Sequence, residues 1–163
     1  MKLFTEFDFD KLPDEEAVES SVKLEYIKEL IVFAKSDKQS VFMYFAFALA
    51  AIAFVIEKFD TSIQSAGFWY LTFFYIGILF LIMAAMSYFM YWRKIHRTQM
   101  SIISCIPSLN IKKARGYWIE LWKENQALFK LGLGFLVIGN SIIFITTVWA
   151  KFAEAFNAVK LPF

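Results

Sequence analysis

Apolar stretches without a charge at their centres alternate along this chain with stretches dense in Lys, Arg, Asp and Glu. Three apolar stretches stand out, at about 40–57, 67–92 and 129–150. Hydrocarbon offers no water to backbone N–H and C=O groups, so a segment that crosses it must be a helix of about 20 residues. Ser40 to Ile56 is at the short end of that range, and Gly67 to Trp92 is long enough to cross with tilt. Lys130 stands just inside the start of the third stretch, where its stem can carry the ammonium to the headgroups. A water-soluble helical core is the alternative for any single apolar run. Three such runs in one chain would need a polar shell that the remaining sequence does not supply. Trp69 and Tyr70 open the second stretch, Tyr88, Tyr91 and Trp92 close it, and Trp149 closes the third, as amphipathic rings do at a membrane interface.

The segments between these runs carry a different period. After Pro13 in Leu-Pro-Asp-Glu-Glu, apolar residues recur at Val18, Val22, Tyr26, Ile27, Leu30, Ile31 and Ala34, at spacings that trace one face of a helix. Its polar face holds Glu15, Glu19, Glu25 and Glu29, which suits basic protein surface better than anionic lipid. Lys112 to Leu128 predicts a further helix, with Trp118, Leu121, Trp122 and Leu128 on a shared face, running on into the third span. Pro107, with Ser108 and Asn110 after it, marks a break between the end of the long second helix and this one, and Gly116 weakens its start. The expected fold is therefore an all-α membrane protein: three transmembrane helices, an N-terminal amphipathic helix within residues 1–38, and a juxtamembrane helix in the basic connection 93–128.

Composition agrees with this reading. Of 163 residues, 59% are apolar and 20 are Phe, more than so short a chain could hide from water. The net charge is only +2, so the placement of charge matters more than its sum. Arg93, Lys94, Arg97, Lys112, Lys113, Arg115 and Lys123 crowd the connection between the second and third spans, whereas the first connection has Lys58 with Glu57 and Asp60. The excess of Lys and Arg places the 93–128 connection in the cytoplasm, the N-terminus with it, and the C-terminal tail on the opposite side. Met1 to Asp10 lacks the basic start and apolar stretch of a secretory leader, so the first span is expected to stay in the mature protein.

Candidate chemistry is sparse. Cys105 and His96 are the only residues of their types, which leaves no internal disulfide and no Cys/His metal set within one chain. His96 sits among cations in Arg93-Lys94-Ile95-His96-Arg97, and no nucleophile, phosphate loop or intramembrane carboxylate pair accompanies it. The expectation is a protein that is not an enzyme and has no cofactor or metal. Within the spans Asn140 and Ser141 mark a helix contact, with pore lining as the sharper alternative, because a buried amide in a bilayer seeks an interhelical partner. Gly132, Gly139 and Thr146 recur every seven residues, and Ala46, Ala50 and Ala53 line one side of the first span; such smooth strips let helices approach closely within or between chains. Three short spans bury little alone, so a homo-oligomer is expected. The basic connection reads as a topology determinant and headgroup contact rather than a nucleic-acid site.

Directly before the first span stands Phe33-Ala34-Lys35-Ser36-Asp37-Lys38-Gln39-Ser40. This junction, through Asp37, Lys38 and Ser40, resembles that of the bacterial Pycsar-system membrane effectors, as does the order of an N-terminal helix, two spans, a cytoplasmic helical stretch and a last span. The resemblance implies an antiphage effector that oligomerises and breaches the inner membrane after a cyclic pyrimidine nucleotide signal. This chain has no cyclic-nucleotide-binding domain of its own, so a cytoplasmic protein or nucleotide-signal partner would do the sensing. Altered membrane permeability is thus the leading expectation, and a non-catalytic structural or assembly subunit of a larger membrane complex is the alternative.

Overall fold

The computed structural model describes residues 19–57, 59 and 67–159, and the regular structure among them is entirely helical. The proposed helix start at Pro13, the stripe position Val18, Lys58 and Asp60 of the first connection, and residues 160–163 lie outside the described residues. Helix α1 runs over Ser20–Glu57, α2 over Phe68–Ile103 and α3 over Ile111–Val159, with 38, 36 and 49 residues. A rise of 1.5 Å per residue makes them about 57, 54 and 74 Å long, so each outruns the roughly 30 Å hydrocarbon layer. All three are long and apolar enough to cross a membrane.

The expected amphipathic helix is not a separate element over its described part. Residues 20–38 are the first turns of α1 and continue into the span without a break. The basic connection 93–128 is likewise helix over most of its length: α2 carries on through Arg93, Lys94 and Arg97, and α3 begins well before the third span. Nothing between Arg93 and Ile103 interrupts a helix, so the end of the apolar run is not the end of α2.

The turn at 104–110 is built locally. The Ser104 hydroxyl donates to the Ser101 carbonyl at 2.7 Å and that of Ser108 to the Cys105 carbonyl at 3.2 Å. Pro107 cannot supply an amide to a continuing helix. Asn110 then caps α3, its Oδ1 accepting from the Lys113 amide at 2.8 Å. At the other end of the bundle Gly67 precedes α2 with φ of 98°, a left-handed conformation that glycine adopts without the Cβ clash.

Buried positions repeat by sevens. On α1 they are Ile27, Ala34, Val41, Ala48 and Val55, with Leu30 beside them; on α2, Phe74, Leu81, Tyr88, Ile95 and Ile102 form one strip and Gly77, Ala84 and Tyr91 the next. This is the pattern of side chains meshing along closely aligned helices. Helix α2 is the central member, packed most extensively on α3 and next on α1, while α1 and α3 barely touch. Beyond the apolar stretches the core continues through Ile95 and Ile102 of α2, Cys105, and Ala114, Trp118 and Leu121 of α3. The periodic stripe of the N-terminal segment thus finds its use there, with Ile27, Leu30 and Ala34 in the same core.

The outside of the bundle is as informative. Large exposed apolar side chains crowd three intervals: Phe42 to Ile56, Phe68 to Met90, and Leu131 to Phe156. Phe47, Phe54, Phe73 and Phe144 are 61%, 62%, 53% and 70% exposed, values that water would penalise heavily and lipid does not. In the rest of α1, α2 and α3 such residues are few: Val22, Val32, Met100, Ile103 and Trp122. The apolar band on the folded surface therefore overlaps the three stretches read from sequence, running past the third as far as Phe156.

Candidate functional site

The residues singled out in the third span divide between two faces of α3. Gly132 and Gly139 pack on α2 and Thr146, seven residues on, is buried as well, so the strip is covered within the chain. Gly132 sits on the ring of Tyr88: a Cβ added there would lie 2.9 Å from a ring carbon. Gly139 meets Gly77, and a Cβ at either would approach the other's carbonyl oxygen, at 3.0 Å from Gly139 and 3.2 Å from Gly77. The absence of two side chains lets the backbones come within reach of Cα–H···O contacts. Thr146 turns its hydroxyl back to the Ile142 carbonyl of its own helix at 2.8 Å.

Asn140 and Ser141 face outward. Asn140 falls at the middle of the third span, and among the described residues its amide bonds only to the Leu136 carbonyl one turn back, at 2.8 Å. It is not a contact between helices of one chain. Ala46, Ala50 and Ala53 are also exposed, on α1.

Tyr88 is wholly buried, its ring stacked on Tyr44 at 5.7 Å and set edgewise to Phe129 at 5.8 Å. Its hydroxyl has no hydrogen-bond partner among the described residues, a cost of about 1–3 kcal/mol for a buried polar group. The sequence places Tyr88 among the rings at the end of the second stretch; the packing threads it between the helices, where Gly132 makes room for it.

At the junction the three motif residues do different things. Ser40 donates to the Ser36 carbonyl at 3.1 Å, an ordinary bond within the helix. Asp37 is half-buried close to Tyr91, and burial pushes its carboxyl up from 3.8 to about 6. Lys38 reaches α2: its ammonium is 3.1 Å from Nδ1 of His96 and 5.2 Å from the centre of the Trp92 ring. An ammonium only donates, so Nδ1 accepts and the ring proton of a neutral His96 is on Nε2. The Trp92 ring stacks on the imidazole at 5.9 Å and 17°. Sequence reasoning named Lys38 and His96 separately and missed their meeting; aligning α1 and α2 antiparallel from their heptads would have found it.

The basic residues of the 93–128 connection lie on the end of α2 and the start of α3, on either side of the 104–110 turn. Arg93, Arg97, Lys112 and Lys113 are exposed and Lys94 and Arg115 are half-buried, spread over the ends of two helices. Trp118 and Leu121 are buried beneath them, whereas Trp122 is 44% exposed. Among the described residues no cluster of three His, Cys, Asp or Glu side chains could hold a metal ion.

No protein family, curated protein or solved structure matches this chain. What the described residues define is a class: a bundle of three helices, each long and apolar enough to cross a membrane, with an apolar band on its surface consistent with a multi-pass membrane protein.

Proposed function

We propose that this chain is a non-enzymatic effector of the bacterial inner membrane that assembles with copies of itself and alters the membrane's permeability. The observation that carries the proposal is the outward-facing Asn140 at mid-span, with Ser141 beside it. An amide turned to acyl chains has no partner for its carbonyl oxygen, whereas an amide turned to another helix gains about 0.6 to 2 kcal/mol. A ring of copies meeting along this face would bring polar Asn140 and Ser141 side chains together at the depth where a permeation path must be polar.

In this reading the N-terminus and the 104–110 turn lie in the cytoplasm and the C-terminal end on the opposite side, as the Lys and Arg distribution directs. The first turns of α1 and the basic helix ends would receive a cytoplasmic protein or nucleotide-signal partner. The resemblance of the Asp37, Lys38 and Ser40 junction to the Pycsar membrane effectors supports a role in antiphage defence.

Regulated expression tests the proposal: membrane potential should collapse in cells with the parent protein and persist with Asn140→Leu, at equal abundance. Potential and growth untouched under every trigger would end it. Gentle detergent extraction separates the alternative, a structural subunit of a larger complex, since identical chains should purify together under our reading and unrelated subunits under the other.

A further inference from the structure

Helices α1 and α2 leave a groove of about 280 Å³ on the surface of the apolar band, lined only by apolar side chains, among them Phe45, Leu49 and Ile52 of α1 and Ile82, Ala85 and Phe89 of α2. Its register is regular. Phe45 contacts Phe89, with ring centres 5.9 Å apart, and one heptad toward the basic end of both helices stand Lys38 and His96, also in contact. Trp92 joins the two levels, stacked on Phe89 at 6.1 Å and on His96 at 5.9 Å. One continuous strip thus leads from the apolar groove to a cationic mouth.

We infer that this strip is a binding site for one anionic glycerophospholipid, its acyl chain in the groove and its phosphate on Lys38 and His96. Length supports the match: from Lys38 to Ile52 is about 21 Å of helix, close to half of a bilayer that measures about 40–45 Å with its headgroups. Chemistry supports it as well. The Lys38 ammonium spends one N–H on His96 Nδ1 and keeps two, and Nε2–H of His96 is a third donor, a set suited to phosphate oxygens. Exposed Lys35, one turn toward the basic end of α1, and exposed Arg93, one turn toward the groove on α2, add positive charge on either side of this level, while the neighbouring carboxylate, Asp37, lies close to Tyr91. A zwitterionic headgroup brings its own ammonium to this mouth and is disfavoured.

Trp92 supplies the readout. The full chain is reconstituted in dioleoylphosphatidylcholine vesicles containing, at equal mole fraction, phosphatidylglycerol or phosphatidylcholine brominated near the ester, and the quenching lost in Trp92→Phe is assigned to Trp92. Brominated phosphatidylglycerol should bind roughly fivefold more tightly than brominated phosphatidylcholine, the ratio that one charge contact at a headgroup supplies. Lys38→Gln should bring the ratio to about one while acyl quenching remains, and Met86→Phe, which fills the groove from an exposed position, should weaken both lipids. Inorganic phosphate at high concentration should displace neither. Equal affinity for the two lipids in the parent, a ratio unmoved by Lys38→Gln, displacement by free phosphate, or lipid-independent crosslinking of Met86→Cys to a second copy would each overturn the site.

Discussion

The close approach of α2 and α3 at Gly77 and Gly139 sets a quantitative expectation. A methyl on Gly139 would lie 3.0 Å from the Gly77 carbonyl oxygen and 3.0 Å from Cδ2 of Leu81. Ordinary contact between carbon atoms begins near 3.5 Å, and a backbone carbonyl cannot rotate away, so the two helices must part by a few tenths of an ångström. Overpacking of this kind costs about 1–3 kcal/mol. The same substitution removes glycine from a helix interior, a gain of up to about 1 kcal/mol that obscures the packing term. Gly134→Ala supplies the correction, because nothing lies within 4 Å of a Cβ built there and only the propensity gain remains. The difference in unfolding free energy between Gly139→Ala and Gly134→Ala, measured by steric trapping in bicelles, should therefore be about 1–3 kcal/mol, with Gly139→Ala the less stable. Gly77→Ala meets Cγ1 of Ile143 at 2.6 Å as well as the Gly139 carbonyl oxygen, and belongs to the same contact. Once the helices have parted for one methyl the second costs less, so the double variant should fall short of the sum by about 0.5 kcal/mol or more. Equal stabilities of the Gly139 and Gly134 variants would refute the close crossing.

Other expectations can be checked in the same system. Tyr88→Phe removes a hydroxyl that has no partner among the described residues from a wholly buried ring and should leave stability unchanged or raise it by up to about 1 kcal/mol; a loss above about 1 kcal/mol would reveal a partner for that oxygen. Asp37 holds its proton more tightly in the folded chain, its pKa raised from 3.8 to about 6. Its contribution is therefore most favourable below 3.8 and declines as pH rises through about 6. Asp37→Asn should match the parent near about pH 4 and exceed it by about 1 kcal/mol above about pH 7, a figure reduced for the solvent that still reaches the group. A variant with the parent's full pH dependence would place the titrating group elsewhere. Asn110→Ala removes the cap of α3 and should cost about 1 kcal/mol, seen as faster amide exchange over 111–114; Asn110→Ser should restore most of the protection.

Much of this architecture is written in the order of residues, because hydrocarbon accepts so few alternatives. The lengths of the apolar runs predicted three helices long and apolar enough to cross a membrane, and the exposed Phe side chains of the folded bundle fall within the same intervals except Phe152 and Phe156, just past the third. The spacing of Gly132, Gly139 and Thr146 identified a contact face on α3. It could not name what covers that face, since Tyr88 and Gly77 come opposite only through the register of α2. The break at Pro107 and the run of the 112–128 helix into the third apolar stretch were legible as well. The rise in charge after Trp92 looks like a boundary, but Lys and Arg are good helix formers, and the chain turns only where Ser104, Pro107 and Asn110 offer other bonds. Lys38 and His96 stand 58 positions apart, and no local pattern joins them. Their contact follows from two heptads laid antiparallel, a step that requires knowing which helices are neighbours.

The number of crossings and their direction are the centre of the account, and cysteine accessibility tests them most directly. In a Cys105→Ser background, Ser108→Cys in the turn between α2 and α3 and Gln64→Cys in the connection between α1 and α2 are exposed to a membrane-impermeant maleimide in spheroplasts and in inverted inner-membrane vesicles. Ser108→Cys should react only in the inverted vesicles and Gln64→Cys only in the spheroplasts. Reaction of both from the same side would contradict a crossing by α2, and with it the three-span reading.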